Sequence, residues 1–474
     1  MPTQNEYNVS TQICRNLYAK INLLNYKFQI VDEWSNVVVG NPTFTENANS
    51  DIRRTCDIAL TPTDNSFNIS DGNKIWLDKY IQIYLGIEDI LTGDIVYTNK
   101  GIYLINNPSQ VWSAVDNTIT ISGLDLMAKL TGLRNGNLEG LEHIIPQGSN
   151  VRDSIIATLE LAGFTNYIVS ECPVTVQNDI NIDVGGTVFD ILKQLRDILP
   201  QYQMYFDVDG VFHYELIPSG NNEQIMIDDD VWTETFISYD VNTDFESLKN
   251  SITVIGKTHD IKNYGGTATI STDTYVITIS TISALRDNLK VGFVAPSQLT
   301  APKLNLNSYG AKNILNEDGT VPVLSEDANV YYVVKYQTTG DYWLFMGEVT
   351  PTGYAEDDNI DSPFYVNGTI GKIRIVLNGG DYDNIYTSDL AQQRAEYELY
   401  LRCRLLDNIT ITCVPIYWAQ VNWLIEITLP SSGETVKYIT KQINTTYGEN
   451  GTQTITAMRY YPFYEAWGIN IEYN

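Results

Sequence analysis

GGTVFDILKQLRDILPQYQMYFDVDGVFHYEL, residues 185–216, is the stretch of sequence that decides the fold. Its first part, 187–199, carries apolar residues at the spacing of an amphipathic helix. Thr187 and Asp190 stand in capping-box positions at the start of that helix, and Pro200 ends it. The stretch therefore predicts a short helix that leads directly into strand-forming residues.

The second part of the stretch, YFDVDGVFHYEL over 205–216, places Asp207 and Asp209 just before Gly210. A D-x-D-G string is compatible with the start of a calcium loop. Such a loop needs further oxygen ligands at regular spacing, however, and Val, Phe, His and Tyr follow here. Strand-forming residues flank Asp-Gly on both sides, and Asp-Gly readily adopts positive φ angles. We therefore predict a β hairpin closed by a two-residue type I′ turn, and no metal site.

Most of the remaining segments alternate apolar and polar residues and are rich in Val, Ile, Thr and Tyr, which is typical of β-strands. The clearest strands are 80–89, 101–107, 117–123, 251–257, 274–280, 330–336, 372–378, 408–415, 423–430 and 452–461. Caps, apolar spacing or end charges predict two further helices, 149–163 and 388–405, and a short helical turn at 124–131. The predicted fold class is mainly β with a small α+β part.

The composition is acidic. With 58 Asp and Glu against 29 Lys and Arg, the 474-residue chain has a formal net charge of −29. Affinity for nucleic acid comes mainly from cationic contacts to phosphates, so we expect no specific nucleic-acid binding and no binding to a membrane. No apolar run is long enough to span a bilayer, and because the first residues are polar we expect no secretory signal peptide. The five cysteines show no C-x-x-C spacing, so we expect reduced, mostly buried thiols.

No pattern in the sequence selects a catalytic or metal site. The nucleophile elbow, the P-loop, the dinucleotide-binding glycine pattern and the H-E-x-x-H zinc motif are all absent. His143, His213 and His259 lie far apart, and the acidic clusters at 228–230 and 355–361 are expected to be solvated loops. Two carboxylates suffice for glycoside hydrolysis, but 58 acids offer many pairs without favouring one. We therefore predict a protein that is not an enzyme and needs no cofactor.

The order of these segments resembles the baseplate hub, or tail-tip hub, of tailed bacteriophages and related contractile injection machines. Four stretches carry the likeness, and each of them is a structural motif. They are NKGIYLINNPSQVWSAVDNTITISGLDLMAKLTG (99–132), the helix and hairpin of 185–216, DFESLKNSITVIGK (244–257), and 388–464, where SDLAQQRAEYELYLRC precedes strands that run to RYYPFY. These stretches extend over most of the chain, and their order and spacing make it similar to the hub family.

This resemblance implies two related β barrels (hub domains), an α+β domain between them, and an inserted β-sandwich domain. The expected domains are 1–132 for the first hub barrel, 133–222 for the α+β domain, 223–250 for a segment that returns to the first barrel and serves as a linker, 251–262 and 385–474 for the second hub barrel, and 263–384 for the insertion. Loop signals at both of its ends, KNYGG and NGGDYDN, indicate the insertion.

The same resemblance implies a structural role as a homotrimer. In that family, the barrels of three subunits form a ring with pseudo-sixfold symmetry that continues the tail tube and holds a spike or tip protein. The expected partners are therefore the tail tube or a distal-tail ring protein and the spike or tip protein, together with a tape-measure protein and fibres. The expected location is the baseplate or tip of the virion tail, with roles in host attachment and genome ejection. The alternative is another tail component, such as a distal-tail or fibre-anchoring protein with a module that binds a host glycan.

The insertion itself resembles a repeat unit of phage tail fibres, carried by LNLNSYGAKNIL (304–315) and VYYVVKYQTTGDYWLF (330–345). Alternate residues of a β sandwich face its core, so one interpretation of the aromatic residues is core packing. Flat aromatic rings beside Asn side chains also suit sugars, which is the other interpretation. The candidate contacts with a glycan or a partner are Asn305, Asn307, Tyr309, Tyr332, Tyr336 and Trp343.

Overall fold

The computed structural model of this protein describes residues 2–461, except 114–116, 139–142, 173, 177–178, 221, 260, 325–329, 384 and 405. The chain is mainly β, with 42% strand and 14% helix. One sheet of thirteen strands forms two barrel-like halves, and the remaining strands form smaller sheets beside it. The predicted fold class is therefore confirmed. Within the residues just given, no helix is both long enough and apolar enough to cross a membrane.

Seven antiparallel strands form the first barrel-like half. With the helix that precedes them, the elements are α1 (Gln4–Ser10), β1 (Leu17–Leu24), β2 (Ile30–Ser35), β3 (Val38–Asn47), β4 (Arg54–Leu60), β5 (Tyr80–Glu88), β6 (Ile95–Trp112) and β7 (Asn117–Leu124). Hydrogen bonds arrange the strands in the order β3-β4-β7-β6-β5-β1-β2. Every second residue of β4 is buried, and Ile21, Ile58 and Ile83 lie in the core. The period-two alternation read in the sequence thus places one face of each strand inside the barrel.

The α+β part follows and packs directly on this barrel. Its elements are β8 (His143–Ile145), α2 (Val151–Leu161), β9 (Tyr167–Val169), β10 (Ile180–Ile182), α3 (Val188–Ile198), β11 (Tyr202–Phe206) and β12 (Phe212–Leu216). The predicted capping box of Thr187 and Asp190 is present at the start of α3. Leu192 of α3 belongs to the same apolar core as Leu104 and Leu126 of the barrel side. The helix-and-hairpin unit is therefore fixed to the first half by a continuous core.

The hairpin of β11 and β12 closes through a loop that is longer than predicted. The N–H of Gly210 donates to the carbonyl of Asp207 at 3.2 Å, and the N–H of Asp207 donates to the carbonyl of Val211 at 2.8 Å. In this loop the positive φ angle, +77°, falls on Gly210. The prediction of a two-residue type I′ turn is therefore wrong. The Asp207 carboxylate accepts the N–H groups of Asp209 and Val211, and these bonds stabilise the wider loop.

Three short elements lead away from the hairpin. They are β13 (Ile225–Ile227), α4 (Asp229–Thr235) and β14 (Phe236–Asp244). The short helices α1 and α4 were not predicted. Asp228 caps α4 by accepting the N–H of Val231, so the acidic cluster at 228–230 is a helix start and not a solvated loop.

An eight-stranded sheet forms the inserted part of the chain. The strand β15 (Ser251–Ile255) precedes it, and its own strands are β16 (Tyr264–Thr267), β17 (Thr269–Ser271), β18 (Thr274–Ile277), β19 (Lys290–Val294), β20 (Lys303–Leu306), β21 (Lys312–Leu315), β22 (Tyr331–Gln337) and β23 (Tyr342–Glu348). They follow the order β16-β19-β22-β23-β21-β20-β18-β17. Tyr275, Phe293 and Trp343 are completely buried among them. The insertion thus has a hydrophobic core of its own.

A three-stranded sheet connects the insertion to the last helix. Besides β15 it contains β24 (Thr352–Glu356) and β25 (Arg374–Asn378), and α5 (Ser388–Arg402) packs against it. Gly353 lies so close to α5 that an added Cβ atom would be 2.0 Å from the carbonyl oxygen of Ala391. The resemblance places 251–262 in the second barrel, but β15 instead directs its hydrogen bonds to β24 and β25.

The segment 355–361, predicted to be a solvated loop, is exposed over 358–361 but buries the carboxylate of Asp357. Asp357 is buried and accepts hydrogen bonds from the hydroxyl of Ser362 and, at 3.3 Å, from the Sγ of Cys403. Two side-chain donors compensate this carboxylate, which is why it tolerates burial.

The five cysteines are all free thiols and three of them are buried, as predicted.

The second barrel-like half takes its remaining strands from the last part of the chain. They are β26 (Leu406–Cys413), β27 (Leu424–Thr428), β28 (Thr435–Thr446) and β29 (Gln453–Arg459). With the earlier strands, the order is β14-β26-β29-β28-β27-β13. Residues 223–250 were expected to return to the first barrel, but β13 and β14 pair with β27 and β26 of the second half. Strand β28 belongs to both halves, because its residues 442–446 pair with 43–47 of β3.

Candidate functional site

A buried polar network connects the hairpin with both barrel-like halves. We call it the polar junction, and its members are Glu46, Arg53 and Arg54 of the first half, Gln203 of the hairpin, and Asn422 and Lys441 of the second half. Buried polar groups are tolerated when they are hydrogen-bonded to one another. The contacts within the network therefore hold three parts of the chain in one arrangement.

Arg54 is the centre of the polar junction on the side of the first half. Its guanidinium forms a buried ion pair with Glu46, in which Nη2 lies 2.6 Å from Oε1. The same guanidinium donates to the main-chain carbonyl of Phe206 in the hairpin. Its main-chain N–H donates to the carboxylate of Asp125 at 2.8 Å. One arginine thus connects β3, β4, the end of β7 and the hairpin.

Arg53 and Gln203 continue the polar junction towards the second half. Arg53 Nη2 donates to Gln203 Oε1 at 2.8 Å, and its guanidinium lies 3.8 Å from the centre of the Tyr205 ring. The same Gln203 oxygen accepts from Nδ2 of Asn422 at 2.6 Å. Lys441 Nζ donates to the Asn422 oxygen at 2.9 Å. A continuous chain of hydrogen bonds therefore passes from the first half through the hairpin to the second.

Burial shifts the ionisation of the charged groups in and beside the polar junction. Burial and the neighbouring Arg54 lower the pKa of Arg53 to about 10. Burial, with the nearby cations Arg404 and Arg53, lowers the pKa of Lys441 to about 8. Burial raises the pKa of Asp125 to about 6. Because buried charges are costly once a partner is lost, the network resists rearrangement of the three parts it connects.

A second polar cluster lies on the hairpin itself. His213 Nε2 is 3.0 Å from Oδ2 of Asp207, and its Nδ1 is 3.5 Å from Oε2 of Glu215. Glu215 also accepts from the hydroxyl of Tyr205 at 2.8 Å, and the Tyr205 ring stacks on His213. Side chains on both strands therefore strengthen the hairpin beyond its backbone hydrogen bonds.

The two carboxylates control the protonation of His213. The hydrogen bond to Asp207, together with the Glu215 carboxylate 3.5 Å from Nδ1, raises the pKa of His213 to about 9. Burial by itself raises the pKa values of Asp207 and Glu215, but hydrogen bonds from His213 and other donors lower both of them overall. At neutral pH the histidine is therefore a cation between two carboxylates.

This cluster is expected to make the stability of the protein depend on pH. Since the pKa of folded His213 is about 9 and its ordinary value is 6.5, its contribution is complete below pH 6.5 and is lost as the pH rises through about 9. Solvent screens the half-buried His213 and its two carboxylates, so the free energy of unfolding is expected to fall by about 1 kcal/mol. Urea denaturation across this pH range should show the free energy of unfolding falling in the wild type and changing less in His213→Gln. An equal fall in both proteins would exclude this role.

The hairpin carboxylates do not form a calcium loop. Asp207 Oδ1 accepts the N–H groups of Asp209 and Val211, and Oδ2 faces His213. Asp209 accepts from Nδ2 of Asn99 at 2.8 Å. Both side chains therefore serve the turn and its contact with the barrel. Among the residues that the structure describes, no group of three or more His, Cys, Asp or Glu side chains is placed to hold a metal ion.

Three of the predicted contact residues in the insertion lie in its core. Tyr332 and Tyr336 are buried, and Trp343 is completely buried. The rings of Tyr336 and Trp343 pack against each other with centroids 5.2 Å apart. Protein atoms cover these aromatic faces, as the core-packing interpretation predicts.

The other three predicted contact residues lie at the end of β20, which contains Asn305, and in the loop that follows it, which contains Asn307 and Tyr309. The Asn307 side chain bonds to backbone groups of the neighbouring 279–282 segment. Asn305 Oδ1 accepts the N–H of Gly310 at 3.1 Å, and Tyr309 is 38% exposed. The structure thus places three of the six residues in the core of the insertion and the other three at or just after the end of β20. A glycan or partner contact stays a prediction, with Tyr309 as its exposed ring.

The strands β14 and β2 are open edges of the thirteen-stranded sheet. Among the described strands, β14 pairs with β26 on one side alone, and β2 pairs with β1 on one side alone. Ile237 and Val241 are exposed on β14, Phe245 is exposed just beyond it, and Ile30 and Val31 are exposed on β2. Exposed apolar residues on an unpaired strand are a feature of surfaces that bind another chain. Sequence reasoning missed these edges, because local patterns do not give the order of strands in a sheet.

Known proteins share this architecture. The family model described as a domain of unknown function, DUF5048, matches residues 361–464. No curated protein sequence matches the chain. The chain is similar to the tail protein from Neisseria meningitidis MC58, with a TM-score of 0.50, 11% identity, and coverage of 93% of this chain and 96% of that one. It is also similar to the 43 kDa tail protein of prophage MuSo2 from Shewanella oneidensis, with a TM-score of 0.52, 10% identity, and coverage of 94% and 99%. The resemblance to tail proteins is therefore confirmed at the level of the fold.

Proposed function

We propose that this protein is the structural hub of the tail of a phage or tail-like particle, a homotrimer that joins the tail tube to the central spike and forms part of the DNA passage. The observation that carries the proposal is the single sheet in which two barrel-like halves stand side by side through the pairing of β3 with β28. Three subunits with two barrel-like units each would present six similar units around the ring. A threefold assembly can therefore match a tail tube with sixfold symmetry. The fold shared with two tail proteins supports the same role.

The charge of the chain supports a role beside DNA. Each subunit has a formal net charge of −29. A ring of three subunits would carry about three times that charge, and like charges keep phosphate backbones from binding to its surface. An acidic passage of this kind lets DNA move through without being retained.

Native mass spectrometry and electron microscopy of the purified chain test the proposed ring. The chain at micromolar concentration, alone and mixed with the tail-tube protein of the same particle, is expected to give a ring with threefold symmetry. A monomer under both conditions, or a ring of another symmetry, is incompatible with the proposal.

Val241→Lys is expected to weaken assembly. Val241 lies on the open edge strand β14, opposite Ile409 of β26, and is 41% exposed. A lysine there places a charge where a neighbouring subunit would bury apolar side chains, so we expect trimer formation to weaken by about tenfold or more, ~1.4 kcal/mol. Analytical ultracentrifugation measures the change. Ile270→Lys, at an exposed position in the insertion, is the matched control and should assemble normally. Normal assembly of Val241→Lys would place the interface elsewhere.

A further inference from the structure

A cavity of about 350 Å³ lies beside the polar junction, between α5 and the second barrel-like half. Its walls come from α5, the segment that joins α3 to β11, and parts of β28 and β29. Leu199, Ile439 and Met458 supply apolar surface, and Tyr397 and Tyr400 supply aromatic surface. Protein interiors are normally packed without spaces of this size, so the cavity can accommodate several side chains of another segment.

Two cations, the buried Arg404 and the half-buried Lys441, face this cavity, and their polar partners among the described residues are neutral. Lys441 Nζ donates to the amide oxygen of Asn422 at 2.9 Å. Arg404 Nε donates to the carbonyl of Leu401 at 3.2 Å, and its guanidinium lies 4.6 Å from the centre of the Tyr400 ring. An amide, a carbonyl and a ring compensate a buried charge less well than a carboxylate does. The cavity therefore favours a ligand that carries negative charge.

The acids on the cavity wall are engaged by their own neighbours. Asp197 forms an ion pair with Arg196 at 2.9 Å, and Glu396 accepts from Gln392 at 2.9 Å. An apolar cavity with two such cations is notable in a chain whose net charge is −29. The surface fits a polypeptide segment that combines aromatic or aliphatic side chains with carboxylates.

We propose that this cavity binds residues 462–474 of the same chain, PFYEAWGINIEYN. The segment contains aromatic and aliphatic residues together with Glu465 and Glu472, and it contains no Lys or Arg. It begins beside the cavity, because the hydroxyl of Tyr400 donates to the carbonyl of Tyr461 at 2.5 Å. A short connection makes the entropic cost of bringing the two together small.

Glu465 is the carboxylate that we assign to the two cations. It follows Tyr461 by four residues, a span that an extended chain covers in about 14 Å. A carboxylate at Arg404 or Lys441 compensates the charge of these two cations, and Trp467 supplies the apolar contact. The segment thereby connects α5 to the second barrel-like half.

Limited digestion of the full chain with chymotrypsin, which cleaves after aromatic residues, tests the proposal. Mass spectrometry follows cleavage after Tyr464 and Trp467. We expect slow cleavage in the wild type and about tenfold faster cleavage in the double variant Arg404→Gln, Lys441→Met, because protection follows the bound fraction. Lys437→Met, on the same strand but outside the cavity, should keep the wild-type rate. Equal rates in the wild type and the double variant would overturn the proposal.

A second variant keeps the test independent of the cavity walls. Glu465→Gln combined with Trp467→Ala changes the segment alone and is expected to increase amide hydrogen exchange over 390–401 of α5. Exchange in β4 serves as the internal control and should not change. Unaltered exchange in α5 would overturn the proposal. Protection that appears only as protein concentration rises would assign the cavity to the segment of a second copy and would equally overturn it.

Discussion

Replacing Arg54 with methionine is expected to lower the free energy of unfolding by about 3–5 kcal/mol. The change removes the guanidinium that lies 2.6 Å from Glu46 and leaves this carboxylate, which is 7% exposed, without its charged partner. It also removes the donor to the carbonyl of Phe206, through which the hairpin is held to the first half. Methionine retains much of the side-chain volume, so the lost charge and hydrogen bonds dominate over any cavity. Urea denaturation followed by tryptophan fluorescence measures the change.

Two comparisons separate the buried charge from other effects of the Arg54→Met substitution. Arg286→Met removes an exposed arginine of the insertion and should change stability by less than about 0.5 kcal/mol. Adding Glu46→Gln to Arg54→Met should restore part of the loss, because an amide is less costly to bury than an unpaired carboxylate. A loss below about 1 kcal/mol in the single variant would show that the pair behaves like an exposed salt bridge.

Gly353→Ala is expected to destabilise the packing of α5 on the three-stranded sheet by about 3 kcal/mol. The new Cβ atom would lie 2.0 Å from the carbonyl oxygen of Ala391 and 2.3 Å from the main-chain nitrogen of Gln392. These are backbone atoms of a helix, so no side-chain rotation relieves the contact and the strand and helix must separate. Ile252 and Leu399, which are buried between them, would lose part of their packing. Hydrogen exchange over 388–402, together with urea denaturation, measures the effect.

Gly220→Ala is the matched control for the alanine substitution at position 353. There the nearest atom to the added Cβ is the carboxylate end of the Glu223 side chain, at 3.3 Å, and a flexible side chain can move away. We expect a change of less than about 0.5 kcal/mol. Wild-type exchange of α5 in Gly353→Ala would mean that the strand and the helix are further apart than the structure places them.

Local patterns were sufficient to predict the helix-and-hairpin unit. Capping residues and apolar spacing gave the helix at 187–199, and the structure places α3 at Val188–Ile198. Alternation within single strands gave the mainly β fold class in the same way. These signals succeed because each depends on residues within a few positions of one another. The turn at Asp207 was predicted too short because its side-chain hydrogen bonds widen the loop.

Local sequence patterns did not predict which strands pair with one another. β15 was assigned to the second barrel, and 223–250 to the first, but the hydrogen bonds place both elsewhere. The pairing of β3 with β28 joins residues that are almost the whole chain apart. An alternating strand fits many neighbours equally well, so the choice is made by the packing of the complete fold.

The sequence by itself determined where the three longer helices and the clearest strands form, because capping, apolar spacing and β-branched alternation act over a few residues. Only the tertiary structure decided which strands meet and which polar residues become buried. Glu46 and Arg54 are buried and Lys441 is half-buried, although all three belong to residue types that usually lie at the surface. They lie in the polar junction because the two barrel-like halves and the hairpin of 185–216 close around them, and a buried charge persists only where the fold supplies its partners.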